Sequence, residues 1–375
     1  MSSLSILIVG TGIAGPTLAL LLQRANPLHH ITLIERAPTL RASGLQLDFK
    51  AQGTPIMRKM GLLEAMRAHH VNETGAQIVG AKGEVLAAFG IKEDVGTEGG
   101  DGVDVTFEDG REERFDLVVG ADGQNSRTRK MAFGEEVSAE AFKELGSQVA
   151  YFNIPRGAGD GTIARLFFSA KSRAVMARNG GRPMTQVYMF SQSNLEKIKA
   201  SYGKSVAEQK AVWKETFKGA GWETDRFLEG MQTADDFYAH HIAQVKLPSL
   251  YKGRIALVGD AGYCPSVMTG KGTTAAFIGA YLLAGELARK PHDVDAALKS
   301  YDEVMKEPVK LAQIIDANLS LPSSSLAVWF IRNGLWAACS LKIDKLVMKL
   351  MPQKKEKGTL EGWQLPNYPE LNLRE

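Results

Sequence analysis

The feature that most constrains this chain is a glycine-rich turn at residues 10–15, which reads GTGIAG. It follows an apolar run at residues 4–9, which predicts a buried strand, and it precedes an apolar segment at residues 16–22, which predicts a helix. A second apolar run at residues 31–34 ends directly before Glu35. Strand, glycine turn, helix, strand and acid in this order are typical of a site that binds a dinucleotide. The sequence therefore predicts a β–α–β unit that holds such a cofactor.

Each residue of this first motif has a physical role. Gly10 permits the tight turn, Gly12 lets the backbone approach a pyrophosphate, and Gly15 lets the helix and strand pack closely. The helix N-terminus favours the phosphate charge. Glu35 is placed to accept a hydrogen bond from a ribose hydroxyl. The residues predicted to bind the cofactor here are Gly10, Gly12, Ile13, Ala14, Gly15, Glu35 and its neighbour Arg36.

Length, charge and cysteine content exclude several classes of protein. The 375 residues, 44% of them hydrophobic, are enough for one large or two ordinary domains. A net charge of +3 is too balanced to indicate nucleic acid as a partner. Two cysteines form neither a disulfide framework nor a zinc site alone, which favours a reducing, cytoplasmic compartment. The apolar run at residues 4–9 is too short for a signal peptide, and no segment reaches the roughly 18 apolar residues of a membrane span.

The hydrophobic patterning predicts an α/β fold with an inserted sheet. We expect a doubly wound, Rossmann-like dinucleotide-binding domain from residues 1–140 and 251–320, an antiparallel β-sheet substrate domain over residues 141–250, and a helical segment over residues 321–375. Strands are predicted at residues 45–49, 148–154, 163–169, 173–177, 185–191 and 254–258, with a hairpin formed by residues 103–107 and 114–119. Helices are predicted at residues 54–69, 193–218, 273–287 and 293–315, and a helix pair at residues 325–350.

Two further glycine–acid motifs narrow the choice of dinucleotide. The first is DLVVGADG at residues 116–123, which continues to Ser126 and Arg129. The second consists of GDAG at residues 259–262 and GKGTT at residues 270–274. Either could be an ordinary turn, because Asp-Gly is common at strand ends for conformational reasons. A nicotinamide dehydrogenase explains the first motif of the chain but not the last.

On these three motifs the chain resembles the flavin-dependent aromatic hydroxylases, the para-hydroxybenzoate hydroxylase-like monooxygenases. It looks closest to the branch with tetracycline-inactivating and polyketide-modifying enzymes, over residues 4–92 and 101–310 and more weakly to residue 369. The resemblance implies FAD as cofactor, NAD(P)H as co-substrate, and O2 with an aromatic or polyketide-like compound of secondary metabolism as substrates. Because the flavin carries such chemistry, we expect neither a catalytic triad nor a metal. A flavin halogenase is not indicated, because no two tryptophans stand two residues apart.

The resemblance also assigns site residues. The element at Asp122 matches the one that contacts FAD and NAD(P)H, Asp260 matches the acid that binds the ribityl chain, and residues 270–274 match the loop beside the flavin ring. His241 and Gln244 lie in a stretch that runs along the substrate pocket in the family. The cofactor-binding residues predicted beyond the first motif are Asp48, Asp122, Gly259, Asp260, Gly270, Gly272, Thr273 and Thr274.

Residues 90–102 depart from the family pattern. The family has a helix there with an FAD-contacting arginine, followed by a strand of the cofactor sheet, and this chain has too few residues for both. One explanation is a wrongly or alternatively joined exon. The other is a true shortened variant, in which residues 85–91 would pair directly with residues 103–107. A non-redox family member, cyclase-like or accessory, with weakened FAD binding is the alternative function.

The C-terminal segment carries an apolar stripe at Leu326, Trp329, Phe330, Leu335 and Trp336. We expect this helix to pack over the FAD domain. Peripheral membrane contact is the alternative, because lysines follow the stripe and a basic amphipathic helix can lie in a lipid interface. A monomer is the favoured oligomeric state.

Overall fold

The computed structural model describes residues 3–36, 52–69, 75–80, 85–89, 103–107, 111–315, 320–340 and 363–373. Asp48, the predicted strand at residues 45–49 and the segment 90–102 lie outside these ranges. The strands along the chain are β1 (Ser5–Val9), β2 (His30–Ile34), β3 (Gly75–Val79), β4 (Val85–Phe89), β5 (Val103–Thr106), β6 (Glu112–Phe115), β7 (Leu117–Gly120), β8 (Phe142–Pro155), β9 (Ile163–Ser169), β10 (Arg173–Arg178), β11 (Met184–Ser191), β12 (Tyr238–Val245), β13 (Tyr251–Lys252) and β14 (Ile255–Leu257).

Helices occur in each predicted helical segment that the structure describes, and two of those segments are divided. Helices at residues 127–133, 135–141 and 224–233 were not predicted. The segment 54–69 breaks at Gly61, whose φ of 70° ends the first helix, and the segment 193–218 breaks before Ser205, which starts a new helix with a capping box to Glu208. The helices are α1 (Ala14–Ala25), α2 (Gly53–Lys59), α3 (Leu63–Ala68), α4 (Arg127–Phe133), α5 (Glu135–Ala141), α6 (Leu195–Ser201), α7 (Val206–Phe217), α8 (Thr224–Thr233), α9 (Asp260–Tyr263), α10 (Gly272–Arg289), α11 (Val294–Ala312) and α12 (Ser325–Ser340).

A five-stranded sheet in the order β13-β14-β7-β1-β2 forms the frame of the first domain. The pairs from β14 to β2 are parallel, which confirms the α/β fold class. Ile6 and Ile8 of β1 face a large core shared with α1, α10 and α11. On the opposite face, Leu7 packs against the antiparallel ribbon of β5 and β6. The predicted hairpin is therefore present, but its second predicted strand, residues 114–119, is divided between two sheets. Its first residues belong to β6, which pairs with β5, and the others belong to β7, which pairs with β1 of the parallel sheet.

Strand β2 ends the order of the parallel sheet among the residues that the structure describes. Its side chains are exposed or half-buried, and Leu33 is 38% exposed. An exposed edge is what the sequence predicts when the strand that normally follows is missing. The predicted direct pairing of residues 85–91 with residues 103–107 is wrong. β4 pairs with β3, and residues 103–106 pair with β6.

A seven-stranded sheet in the order β12-β8-β11-β10-β9-β3-β4 forms the second layer. Its four predicted central strands are confirmed. β8 pairs with β11, β11 with β10 and β10 with β9, all antiparallel, whereas β9 and β3 are parallel. One face packs on α6, α7 and α8 through Trp213, Phe217 and Phe227. Strands β3 and β4 belong to this sheet, although they lie inside the range 1–140 that was predicted for the cofactor domain. The boundaries at residues 140 and 250 stay predictions.

The C-terminal segment divides its contacts between the two sheets. Helix α12 contacts β4 and β9 of the seven-stranded sheet. Since β4 lies inside the range 1–140, the expectation that α12 packs over the FAD domain stays a prediction. Residues 363–373 cover α10, where the ring of Tyr368 lies against Gly285 and its hydroxyl lies 3.1 Å from Glu286 Oε1. Residues 341–350, the second half of the predicted helix pair, lie outside the described ranges. Among the described helices, none combines the length and apolarity that crossing a membrane requires.

Candidate cofactor and substrate site

The three glycine–acid motifs meet at the carboxyl end of the parallel sheet. A Cβ on Gly10, whose φ is 111°, would lie 2.6 Å from the carbonyl oxygen of Ala121, which follows β7. A Cβ on Gly259, which follows β14, would lie 3.1 Å from Cβ of Ala14 and 3.7 Å from Cβ of Ala276. The turns after β1, β7 and β14 and the starts of α1 and α10 are therefore in contact. Ligands of open α/β sheets bind at this edge.

The first motif has the geometry of a pyrophosphate turn. A Cβ on Gly15 would lie 2.1 Å from the carbonyl oxygen of Gly10, so only glycine permits this approach of helix and strand. At Gly12, by contrast, no atom of the described residues lies within 4 Å of the Cβ position. Ile13, the residue before α1, forms no side-chain cap, and the first turn of the helix has no acidic residue. Its N–H groups are therefore available to a phosphate on the open side of Gly12.

Glu35 lies at the end of β2, beside the glycine turn. Its Oε2 accepts hydrogen bonds from the backbone N and from Oγ1 of Thr11, both at 2.9 Å. The carboxylate is exposed, as is Arg36. These bonds hold the acid next to the turn, where a ribose would follow a pyrophosphate bound to α1.

The carboxylate of Asp122 accepts hydrogen bonds from residues of its own turn. These bonds come from Oγ of Ser126 at 2.5 Å and from the backbone N of Thr128 at 3.0 Å. Gly123, with a φ of 78°, lets the chain turn into α4. The structure thus gives Asp122 the role of stabilising the start of α4. Its predicted contact with the cofactor stays a prediction.

Arg129 joins the second motif to the third. Its buried guanidinium donates from Nη2 to the carbonyl of Gln124 and from Nη1 to that of Ala261, both at 2.8 Å. Nε donates to Oγ of Ser138 at 2.9 Å. The sequence motif contained Arg129 but gave it no role; the structure shows that it fixes the turn at residues 259–262 against α4.

The third motif combines an acid with the start of a long helix. Asp260 is the first residue of α9, and its Oδ1 lies 3.8 Å from the Cβ position of Gly272, the first residue of α10. Gly270, with a φ of 62°, turns the chain into that helix. Lys271, the residue before α10, forms no side-chain cap, and the first turn of the helix, which includes Thr273 and Thr274, has no acidic residue. Burial raises the pKa of Asp260, an effect opposed by a hydrogen bond from Cys264.

These observations fit FAD. The open side of Gly12 and the uncapped start of α1 suit the pyrophosphate, and Glu35 suits the adenosine ribose. Asp260 offers acceptors to the hydroxyls of a ribityl chain, and the uncapped start of α10 suits the electron-rich edge of a flavin. The roles of the individual residues stay predictions.

We expect Asp260→Ala to weaken FAD binding about ten- to hundredfold. The reason is the loss of hydrogen bonds to a charged acceptor, worth about 1.5–3 kcal/mol. Isothermal titration calorimetry of the apoprotein with FAD measures the change. Asp260→Asn, which keeps one acceptor oxygen, should lose less affinity than Asp260→Ala, and an unchanged dissociation constant in both variants would remove Asp260 from the site.

An aromatic face of the seven-stranded sheet adjoins the third motif. Tyr151 stands at its centre, with ring centroids 5.1 Å from Tyr188, 6.3 Å from Tyr238 and 5.4 Å from His240. Met268, from the loop between α9 and α10, packs against the same group. We call these side chains the aromatic cluster. It lies on the face opposite α6, α7 and α8, so the face left free of these helices is the one beside the cofactor motif.

The two histidines of β12 lie on opposite faces of the sheet. His241 points to the face of α6, where Nδ1 lies 3.4 Å from Oε1 of Glu144 and its ring lies 4.9 Å from that of Tyr202. Burial lowers the pKa of His241, although Glu144 opposes this. His241 therefore lies away from the aromatic cluster, which contains His240, and its contact with a substrate stays a prediction. Because successive side chains of a strand point to opposite faces, the sequence alone predicts that His240 and His241 lie on different faces of the sheet.

Gln244 is buried and holds the third motif in place. Its Nε2 donates to the carbonyls of Pro265 at 3.1 Å and Gln313 at 2.8 Å. These bonds tie β12 to the loop before α10 and to the end of α11. Direct contact of Gln244 with a flavin or a substrate stays a prediction.

Comparison with known proteins gives consistent results. Residues 84–312 match the family described as FAD binding domain. The FAD-dependent monooxygenase asL6 of Sarocladium schorii is 35% identical over 426 residues, which cover 99% of this chain and 99% of that protein. The flavin-dependent monooxygenase eupH of Phoma sp is 32% identical over 82% of this chain and 84% of that protein. The crystal structure of the tetracycline destructase Tet(51) covers 98% of this chain and 100% of its own, with a TM-score of 0.74 and 27% identity.

Proposed function

Because the chain belongs to the FAD-dependent monooxygenases, we propose that it uses NAD(P)H and O2 to hydroxylate an aromatic or polyketide-like small molecule of secondary metabolism. The observation that carries the proposal is the aromatic cluster, which lies beside the loop that leads into α10. Tyr151 and Tyr188 are buried, so the rings open to a ligand are those of Tyr238 and His240, and a planar, partly apolar compound is the ligand that such rings stack best. The tetracycline destructase that this chain resembles is named for a polycyclic compound of this kind.

The residues of this chain bind and orient the cofactor and the substrate. The start of α1 and Gly12 hold the pyrophosphate, and Glu35 and Asp260 accept hydrogen bonds from sugar and ribityl hydroxyls. The start of α10 stabilises negative charge on the adjacent ring system. When bound, FAD supplies the redox chemistry and the activation of O2. The aromatic cluster holds the substrate against the site and excludes water from it.

The comparisons do not favour the alternative of a non-redox member, because both relatives named above are monooxygenases. We place the enzyme in the cytoplasm as a monomer, in keeping with its two cysteines, of which Cys264 is a buried free thiol.

The experiment is a coupled assay of the FAD-loaded protein with NADH or NADPH, isotopically heavy O2 and a panel of hydroxynaphthalenes, hydroxyanthraquinones and tetracyclines. We expect one or more compounds to accelerate oxidation of the nicotinamide and to gain one heavy oxygen atom by mass spectrometry. Gly12→Ala, which is expected to bind FAD poorly, serves as the matched control. Oxidation that no compound accelerates, with every electron pair recovered as hydrogen peroxide, would contradict the proposal.

A further inference from the structure

We infer that His240 accepts a hydrogen bond from a hydroxyl of the aromatic substrate and so selects phenols over their ethers. This inference deepens the proposed function and rests on it. It assigns the specificity of the site to one ring nitrogen, Nε2, in the aromatic cluster.

The ring of His240 packs against two tyrosine rings. Its centroid lies 5.4 Å from that of Tyr151, with the planes 26° apart, and 5.1 Å from that of Tyr238, with the planes 35° apart. Strand β12 holds the backbone of the residue, because His240 pairs with Val149 of β8. A ring held in this way presents one edge to its surroundings in a defined direction.

Hydrogen bonding determines which nitrogen carries the proton. Nδ1 lies 2.6 Å from the carbonyl oxygen of His241, and a carbonyl oxygen only accepts hydrogen bonds. Nδ1 also lies 3.0 Å from Nε2 of Gln124, which only donates, but that amide has the carbonyl of His241 as its acceptor at 3.2 Å, so the shorter contact of Nδ1 with the carbonyl decides. We therefore assign the proton of the neutral ring to Nδ1, which leaves Nε2 as an acceptor. Among the residues that the structure describes, Nε2 has no hydrogen-bond partner.

The ring is neutral when the enzyme works. Burial lowers the pKa of His240 to about 4, a shift that the bond to the His241 carbonyl opposes. At neutral pH, Nε2 therefore offers a lone pair and no charge, which suits a hydroxyl donor and not an anion.

A single glutamine connects His240 to the cofactor motifs. The side-chain Nε2 of Gln124, two residues after Asp122, donates to the carbonyl of His241 at 3.2 Å and lies 3.0 Å from Nδ1 of His240. The backbone carbonyl of Gln124 is held by Arg129, which also binds Ala261 next to Asp260. His240 is thus positioned by the same bonds that assemble the second and third motifs.

The preference for phenols over ethers follows from the acceptor Nε2 of His240, which an ether leaves without a donor. A phenol pairs with Nε2, whereas its methyl ether brings no donor, covers the nitrogen and leaves it unpaired. Sites that hydrogen-bond a substrate hydroxyl reject analogues that lack it more strongly than apolar pockets do. One such bond is worth about 1 kcal/mol or more when its loss leaves a buried group unsatisfied, so the preference should be roughly fivefold or more.

The test measures binding to the FAD-loaded protein by calorimetry, without turnover. The probes are 1-naphthol, 1,8-dihydroxyanthraquinone and chlortetracycline, and, as ether counterparts of the first two, 1-methoxynaphthalene and 1,8-dimethoxyanthraquinone. We expect the wild-type protein to bind at least one phenol with a fivefold or larger preference over its ether. His240→Asn keeps a donor near Nδ1 and loses the acceptor at Nε2, so it should lose the preference. His240→Gln places an amide oxygen near the Nε2 position and should retain much of it.

His241→Asn is the control on the opposite face, and it should bind phenol and ether with the wild-type ratio. An equal affinity of the wild-type protein for phenols and ethers, or a ratio that His240→Asn leaves unchanged, would overturn the inference; so would the absence of binding by every phenol. Failure of the proposed function gives a different result, because a phenol preference that depends on His240 can be measured even if no compound is hydroxylated. Conversely, hydroxylation without such a preference would refute only the role of His240.

Discussion

Gly12→Ala is expected to fold like the wild-type protein and to bind FAD about ten- to hundredfold more weakly. The Cβ position of Gly12 meets no described atom within 4 Å, so a methyl group costs the apoprotein nothing. The same methyl group occupies the side on which a pyrophosphate would approach α1. Overpacking by a methyl group costs about 1–3 kcal/mol, and each 1.4 kcal/mol corresponds to a factor of ten in affinity. Calorimetric titration with FAD and a thermal melt of the apoprotein measure the two effects separately.

Gly15→Ala is the matched control with the opposite pattern. Its Cβ would lie 2.1 Å from the carbonyl oxygen of Gly10, a backbone atom that cannot rotate away. This variant should therefore lower the melting temperature of the apoprotein itself. An FAD affinity of Gly12→Ala equal to the wild-type value would show that the open side of the turn is not a cofactor site.

Asp160→Ala is expected to destabilise the seven-stranded sheet by about 3 kcal/mol. Its side chain is 1% exposed and accepts hydrogen bonds from Arg226 at 2.8 and 3.1 Å and from Oγ1 of Thr185 at 2.6 Å. Removing one partner of a buried pair costs about 3–5 kcal/mol, and the low end applies because Arg226 is 32% exposed and partly solvated. Urea unfolding followed by the fluorescence of the nearby tryptophans measures the loss. Glu223→Gln, which removes a half-buried partner of the same arginine, should cost no more than about 1 kcal/mol.

The same carboxylate makes stability depend on pH in the acid range. Burial would raise the pKa of Asp160, but hydrogen bonds from Thr185, Arg226 and the N–H of Gly157 outweigh it and hold the pKa below the usual value of 3.8. The folded state therefore binds this proton more weakly than the unfolded state does. The contribution is complete above the unfolded value and is lost as the pH falls below 3.8 through the folded pKa. A pH series in which Asp160→Ala and the wild-type protein lose stability in parallel would contradict this assignment.

The parts of the fold and site that the sequence predicts are those set by local rules. Gly10 and Gly15 can be identified from spacing because a strand–turn–helix unit tolerates no side chain at either place. The strands β8 to β11 follow from short, strand-like apolar segments. The contact between the three motifs also follows, because the carboxyl ends of parallel strands lie at one edge of the sheet.

The remaining features depend on long-range packing. Asp122 lies in a sequence motif that predicts a cofactor contact, yet its carboxylate accepts hydrogen bonds from Ser126 and Thr128 of its own turn. The face of His241 depends on how β12 pairs with β8, and the register of this pair shifts between Ile242 and Ala243. Helix α12 has an apolar stripe that fits either sheet, and only the folded chain shows that it contacts β4 and β9.

The shortened segment has consequences for the cofactor sheet. The match to asL6 extends over 426 residues, more than the 375 of this whole chain, and it covers 99% of each protein. The relative therefore has internal residues that this chain lacks. Strand β2 ends the parallel sheet among the described residues, at the position where the family would add the next strand. A joining artefact predicts an unstable protein, because the lost burial is comparable with the usual stability margin of about 5–15 kcal/mol; a true variant predicts cooperative unfolding.

The central claim is that these 375 residues bind FAD where the three motifs meet. The most direct measurement is the absorbance spectrum of the purified protein after incubation with excess FAD and removal of the free cofactor, together with calorimetric titration of the apoprotein. We predict retained flavin bands and saturable binding of one FAD per chain, both weakened by Asp260→Ala and Gly12→Ala. A folded protein that stays colourless and releases no heat with FAD would contradict the account.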